Sequence, residues 1–98
     1  MRLEVSDQVL AFVRSQAPEP RRRLRLALRK LEAERGDIKS LEGPLGGYHR
    51  LRVGPYRILL AYRAEEGGDR SLRCLYAERR DVVYEIFSRI LRDRILEE

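Results

Sequence analysis

The stretch that decides the fold runs from residue 48 to residue 63 and reads YHRLRVGPYRILLAYR. Apolar and polar residues alternate with a period of two on both sides of Gly54-Pro55, from Arg50 to Ile58, which is typical of half-buried β-strands. Glycine at the first turn position and proline at the second suit a two-residue type II′ turn, because proline fixes a negative φ there. The stretch therefore predicts a β-hairpin that turns at Gly54 and Pro55.

A two-residue turn also fixes which residues face each other across the hairpin. The predicted pairs are Val53 with Tyr56, Arg52 with Arg57, Leu51 with Ile58, and Arg50 with Leu59. Alternation then places Leu51, Val53, Tyr56 and Ile58 on one face and Arg50, Arg52 and Arg57 together on the other. Like charges across a ladder destabilise it by ~0.2–1 kcal/mol, whereas guanidinium groups bind phosphate oxygens with two bonds each. The cluster favours a phosphate site, and the alternative is a solvated face whose arginines pair with carboxylates from elsewhere.

Periodicity elsewhere predicts the remaining elements. The predicted strands are 2–5, 48–53, 56–63 and 71–77, and the predicted helices are 7–16, 20–34 and 80–96. Residues 37–47, which contain Gly43-Pro44 and Gly46-Gly47, are predicted to form a loop. In the last strand, alternation puts Cys74 on the same side as Leu72 and Tyr76, as a packing residue. The order β-α-α-β-β-β-α predicts one α+β domain over residues 1–98, with an antiparallel sheet and its helices packed on one face.

Charge is distributed unevenly along the chain. The net charge is +5, and residues 21–63 carry twelve Arg or Lys against four Asp or Glu, a local balance of +8. A basic middle segment indicates a polyanionic partner such as nucleic acid; the alternative is a general preference for arginine. The second predicted helix turns Arg21, Arg22, Arg25 and Arg29 outward. That helix face would suit an RNA backbone or the carboxylates of a protein partner, and most such faces are simply solvated.

Several classes of protein are disfavoured by composition. The chain has one cysteine, Cys74, which excludes an intramolecular disulfide, and one histidine, His49. No cluster of metal-binding residues is visible, so we expect no metal and no small-molecule cofactor. Apolar runs fall short of the ~18 residues that a membrane span needs, and the N-terminus lacks a signal peptide's apolar stretch. The expectation is a cytoplasmic protein without membrane contact.

Two segments resemble a known family. Residues 41–43, LEG, followed by residues 48–57, YHRLRVGPYR, resemble the "L-x-G … R-x-R-V-G-x-Y-R" signature of the RelE/ParE toxin superfamily. Residues 77–84, AERRDVVY, are similar to the "G-x-R-x-x-V-Y" ending of that signature. Length and element order also match, so the resemblance spans essentially the whole chain. It implies a RelE-like fold and the toxin of a type II toxin–antitoxin system.

RelE-like members are ribosome-dependent endoribonucleases in which the 2′-hydroxyl of the mRNA attacks the adjacent phosphate. The catalytic residues that the resemblance implies are Arg57, Arg79 and Tyr84. Arg57 and Arg79 would contact the scissile phosphate or the leaving oxygen, and Arg79 is expected to join the arginine face. Tyr84 would stack on or hydrogen-bond the RNA near the cleaved bond. The RNA-binding residues that we expect are Tyr48, Arg50 and Arg52. Tyr48 shares the arginine face and would stack on a base, unless it serves as a cross-strand aromatic.

The proton acceptor is the open point of this assignment. The best-known members use lysine on the second strand, where this chain has Arg50 and Arg52, and arginine stays charged. Tyr84 or His49 would then accept the proton, or the protein is slow. Alternation points His49 to the core side, which favours a partly buried histidine. Glu78 is an acid–base partner or, more simply, a pairing charge.

The resemblance also implies partners and leaves rivals open. The expected partners are a cognate antitoxin, the ribosome and mRNA, and an acidic antitoxin could neutralise the arginine face or displace the last helix. A ParE-like toxin shares the fold and poisons DNA gyrase without nuclease activity. A degenerate relative would bind RNA or a partner without catalysis.

Overall fold

The structure, a computed structural model, describes the backbone of residues 1–97 and the side chains of residues 1–94. In chain order the elements are β1 (Arg2–Val5), α1 (Asp7–Ser15), α2 (Pro18–Leu31), β2 (Asp37–Ser40), β3 (His49–Val53), β4 (Tyr56–Ala64), β5 (Arg70–Arg79) and α3 (Val83–Glu97). The five strands form one sheet in the order β1-β5-β4-β3-β2. The predicted α+β class is confirmed. None of the described helices has the length and apolar character that crossing a bilayer requires.

The β3–β4 hairpin forms as the sequence predicts. Its register pairs Val53 with Tyr56 and Arg52 with Arg57, and continues to Arg50 opposite Leu59. Gly54 has a φ of +56°, the positive value that the first position of a type II′ turn requires. The turn residues therefore set the register of the central strands.

Local sequence features also mark the N-termini of the first two helices. The Ser6 hydroxyl accepts a hydrogen bond from the Val9 N–H at 3.2 Å and caps α1. Pro18, not Pro20 as predicted, begins α2, where proline is tolerated because the first N–H of a helix has no intrahelical partner.

The sheet has a different apolar cluster on each side. We call the side that α1 and α2 cover the first face; there Val9, Val13, Leu24 and Leu31 pack on strand residues such as Leu51 and Ile58. The second face carries α3, whose Val83 and Phe87 pack on Leu59 and Leu45. The prediction that all helices lie on one face is therefore wrong. Alternation had placed Leu59 on the same face as the arginines. Its side chain can be buried only if a helix also covers that face.

Two further predictions about the sheet are corrected. Residues 37–40, predicted as loop, form the edge strand β2, which pairs antiparallel with β3. Its sequence DIKS has one apolar residue, Ile38, so it lacks the alternation of a half-buried strand. The sheet is also mixed, because β1 pairs parallel with β5. Between β1 and β5 the chain passes through two helices and three strands, well above the dozen or so residues that a parallel pair needs.

A β-bulge reverses the alternation of β5. Tyr76 lies opposite Leu59 and Cys74 lies opposite Leu60, so Leu75 is an extra residue in the ladder. Cys74 packs in the first-face cluster, as predicted, whereas Tyr76 packs against the second-face cluster. The predicted common side for Cys74 and Tyr76 is wrong, because one inserted residue moves all following side chains to the other face.

A side chain at position 36 would collide with the core. Gly36 has a φ of +138°, and a Cβ atom there would lie 2.7 Å from Cδ1 of the buried Leu51. We expect Gly36→Ala to lower the free energy of unfolding by about 1–3 kcal/mol, measured by urea denaturation. Gly47→Ala is the matched control, because Gly47 has a φ of +93° with no atom within 4 Å of that position. An equal loss in both variants would contradict the steric account.

Candidate functional site

The second face presents two rows of side chains beside the β3–β4 turn. The strand registers place Asp37, Arg52, Arg57 and Glu78 in one row across four strands. The next row consists of Lys39, Arg50, Leu59 and Tyr76. Four cations thus lie on this face with a carboxylate at each end of the first row. The predicted clustering of Arg50, Arg52 and Arg57 is confirmed.

Arg57 is buried and held in a fixed orientation. Its side chain is 6% exposed, and its Nη1 donates hydrogen bonds to the Gly54 and Tyr56 carbonyls, both at 2.8 Å. Among the described residues, no buried side-chain nitrogen or oxygen lacks a partner, so the remaining guanidinium nitrogens of Arg57 reach the surface. One edge of the guanidinium is anchored to the turn, and the other edge is available to a ligand.

Arg50 is paired within the protein. Its Nη1 donates to Asp37 Oδ1 at 3.0 Å and to the Asp37 carbonyl at 2.7 Å. The side chain of Arg50 is 15% exposed. Arg50 therefore pairs with a carboxylate from elsewhere in the chain, which is the alternative that the sequence left open for the arginine cluster.

Arg52 and Lys39 are the accessible cations of the second face. Both are exposed, and neither forms an ion pair or a side-chain hydrogen bond with the residues that the structure describes. Lys39 did not stand out in the sequence because residues 37–47 were predicted to be a loop. The pairing of β2 with β3 places it directly opposite Arg50.

Arg79 lies on the other side of the sheet. It is opposite Tyr56 in the register, and its guanidinium carbon lies 5.8 Å from the centroid of the Tyr56 ring. Tyr56 belongs to the first-face cluster. The expectation that Arg79 joins the arginine face is therefore corrected: Glu78, its neighbour in the chain, is the β5 residue opposite Arg57.

The tyrosines of the second face pack against α3. Tyr48 meets Phe87 edge to face, with ring centroids 5.1 Å apart, and Tyr84 is half-buried against the same cluster. Tyr76 also lies here; burial and the nearby Glu78 carboxylate raise the pKa of its phenol. Tyr76 therefore stays protonated and can donate a hydrogen bond. Sequence reasoning missed it because of the bulge.

Two other reactive side chains lie away from this face. His49 stacks edge to face on Tyr62 at 5.0 Å, and its Nδ1 is 3.1 Å from Ser40 Oγ; its predicted core-side, half-buried position is confirmed. Burial raises the pKa of the Cys74 thiol to about 12, so the reactive thiolate is not populated at neutral pH. In the described part of the chain, no three His, Cys, Asp or Glu side chains are grouped to hold a metal ion.

Comparison with known proteins gives matches in structure. The sequence matches no protein-family model, and a search of curated proteins also finds no match. The RelE of an archaeal RelE–RelB complex from Pyrococcus horikoshii OT3 is 25% identical, with a TM-score of 0.58 over 81% of this chain and 93% of that chain. In fold, this chain is similar to toxins of the RelE/ParE superfamily.

Two further solved structures share this fold. A YoeB/ParE toxin from Agrobacterium tumefaciens matches with a TM-score of 0.59 at 17% identity, over 81% of this chain and 98% of that chain. A RelB–RelE antitoxin–toxin complex from Methanococcus jannaschii matches at 0.57 and 21% identity, over 86% and 98%. The resemblance in sequence motifs is thus confirmed for the RelE/ParE fold, while the roles of individual site residues stay predictions.

Proposed function

We propose that this chain is the toxin of a type II toxin–antitoxin system and cleaves ribosome-bound mRNA with its second face. The observation that carries the proposal is Arg57, a buried arginine anchored to the hairpin turn with one guanidinium edge left for a ligand. Two exposed cations lie on the same face, Arg52 directly opposite Arg57 and Lys39 on the edge strand β2. The likeness to RelE chains solved with RelB supports the toxin role.

Cleavage would use the 2′-hydroxyl of the RNA as nucleophile. The oxygen attacks the adjacent phosphorus and loses its proton, the bond to the 5′-oxygen breaks, and that oxygen takes up a proton. The products are a 2′,3′-cyclic phosphate and a 5′-hydroxyl. A fixed cation helps most when it is already placed where negative charge develops. Arg57 meets that requirement, while Arg52 and Lys39, which both lie on the β3–β2 side of Arg57, would neutralise phosphates in that direction along the RNA strand.

Proton transfer falls to side chains on the same face. His49, one of the two acceptors considered from sequence, lies on the first face and is set aside. Tyr84 lies on the second face, and Glu78, opposite Arg57, adds a carboxyl group. Arg79, on the first face, would reach the leaving oxygen only around the end of β5.

A cognate antitoxin is the proposed inhibitor. A groove between α3 and the sheet is lined by apolar and aromatic side chains, with Arg73 and Arg94 beside them. An amphipathic acidic segment would fit such a groove. Its binding would cover the second face or displace α3, and the proposed site of action is the cytoplasm, where ribosomes translate.

Primer extension on cellular mRNA after induction tests the proposed function. We expect growth arrest with new mRNA 5′ ends for the natural protein. Glu78→Gln and Tyr84→Phe should each reduce cutting by about 100-fold if the residue transfers a proton, the usual size of such a contribution. Growth arrest with intact mRNA and trapped gyrase cleavage complexes would instead establish the ParE-like activity. An absence of both effects would indicate the non-catalytic relative.

A further inference from the structure

A second basic surface lies on α2, away from the candidate cleavage face. Arg21, Arg25 and Arg29 recur every four residues along the helix, and we call them the α2 arginine row. They line a shallow groove together with Arg22, Pro18 and Leu26. Arg25 and Arg29 are exposed and Arg21 is half-buried. α2 buries Leu24 and Leu31 in the core, and the row lies on a neighbouring side of the helix.

The row is not neutralised within the protein. Glu19 lies 3.6 Å from Arg22 and 4.0 Å from Arg23. Within the part of the chain that the structure describes, Arg21, Arg25 and Arg29 form no ion pair and no side-chain hydrogen bond. Like charges four residues apart destabilise a helix by ~0.2–0.5 kcal/mol per pair. Folding stability therefore does not account for the row, whereas a bound polyanion would.

The geometry of the row selects among polyanions. Four residues of helix rise about 6 Å, so the row presents evenly spaced guanidinium groups, each able to bind a phosphate with two bonds. Its groove has no aromatic lining residue, and binding of single strands relies on aromatic platforms for the bases. Three tyrosines, Tyr48, Tyr76 and Tyr84, lie on the second face instead. Leu26, 50% exposed, stands alone among arginines and does not form the apolar patch that a protein partner would need.

We propose that the α2 arginine row binds the phosphate backbone of double-helical RNA. The choice of RNA over another duplex rests on the proposed function. Since α2 covers the first face and the candidate cleavage site lies on the second, one molecule would hold a helical RNA on one side of its sheet and a single strand on the other. The row would anchor the protein beside its substrate.

The test of this proposal is binding to a double-stranded RNA of about 16 base pairs. Binding is measured by fluorescence anisotropy at increasing salt concentrations. The test variant is Arg21→Gln/Arg25→Gln/Arg29→Gln. The control, Arg14→Gln/Arg35→Gln/Arg63→Gln, removes the same charge from exposed arginines outside the row. We expect the row variant to lose about 3 from the slope of log K against log salt, since each phosphate contact contributes roughly 1. Its affinity should fall at least about tenfold below that of the control.

Three results would overturn the proposal: equal losses in both triple variants, binding of the row variant like the natural protein, or a row variant that loses only its binding to the antitoxin. Glutamine favours helix, so circular dichroism should show both variants folded. The proposed cleavage fails separately, because Arg57→Ala should keep duplex binding while it loses cutting. Row-dependent duplex binding by a protein that cuts no mRNA would leave this inference standing and remove the proposed function.

Discussion

Arg57→Ala is expected to reduce cleavage of ribosome-bound mRNA by about 100- to 1000-fold, the usual loss when a fixed charge-stabilising donor is removed. The same change removes the hydrogen-bond partner of the Gly54 and Tyr56 carbonyls. The bond to the Tyr56 carbonyl is buried, and leaving a buried carbonyl without a donor costs about 1–3 kcal/mol. Cleavage should therefore be measured at a temperature where denaturation curves show the variant folded.

Two companion variants separate the catalytic effect from the structural one. Arg57→Lys keeps the charge but gives up the planar donor set, so we expect it to recover stability better than cleavage. Arg52→Ala removes an exposed cation in the same row; its stability should change by less than about 0.5 kcal/mol while cleavage falls. Folded Arg57→Ala that cuts at the natural rate would contradict a role for Arg57 in the reaction.

Phe87→Ala is expected to lower the free energy of unfolding by about 3–5 kcal/mol, as for other buried phenylalanines. Phe87 is 4% exposed, and its ring lies 5.1 Å from that of Tyr48 and 6.4 Å from that of Tyr76. These contacts hold α3, which carries Tyr84, to the second face. Hydrogen exchange should rise more in residues 83–94 than in the first-face helices.

The matched control for Phe87 is Phe12→Ala on the first face. Phe12 is half-buried and meets Tyr56 edge to face at 5.7 Å, so its loss should be smaller and should leave exchange in α3 nearly unchanged. Cleavage should fall in Phe87→Ala beyond what its unfolded fraction explains, because Tyr84 loses its support. A uniform rise in exchange across the chain would contradict a separate role of Phe87 in holding α3.

The sequence predicted the centre of the fold because the information there is local. Gly54-Pro55 fixes the turn, and alternation then determines the pairs from Val53–Tyr56 to Arg50–Leu59, all of which form. The helices have capping signals and apolar stripes of their own. Three arginines on one face followed directly from that register.

What the sequence did not predict depends on contacts between distant segments. β2 has a single apolar side chain, Ile38, and becomes a strand because β3 offers it an edge. The bulge at Leu75 leaves no mark in the alternation of β5, yet it moves Tyr76 to the second face. Leu59 was the available sign that α3 covers that face, since burying it beside the arginines requires an apolar partner.

The candidate site was predicted in part. Its arginine core was predicted, but Lys39 was missed with β2, and Arg79 was placed on the wrong side. The bulge decides on which face of the sheet the last side chains of β5 lie. Strict alternation counted from Leu72 therefore places Arg79 on the wrong face. Pairing of Arg50 with Asp37 likewise requires the register of β2 against β3.

The central claim is that the second face cuts mRNA on the ribosome through the 2′-hydroxyl. The most direct measurement incubates the purified protein with a defined mRNA, free or bound to ribosomes, and analyses the new ends. We predict cutting of the ribosome-bound message at discrete positions, with 2′,3′-cyclic phosphate and 5′-hydroxyl ends. Ribosome-bound mRNA that stays intact at protein concentrations that stop translation would contradict the claim.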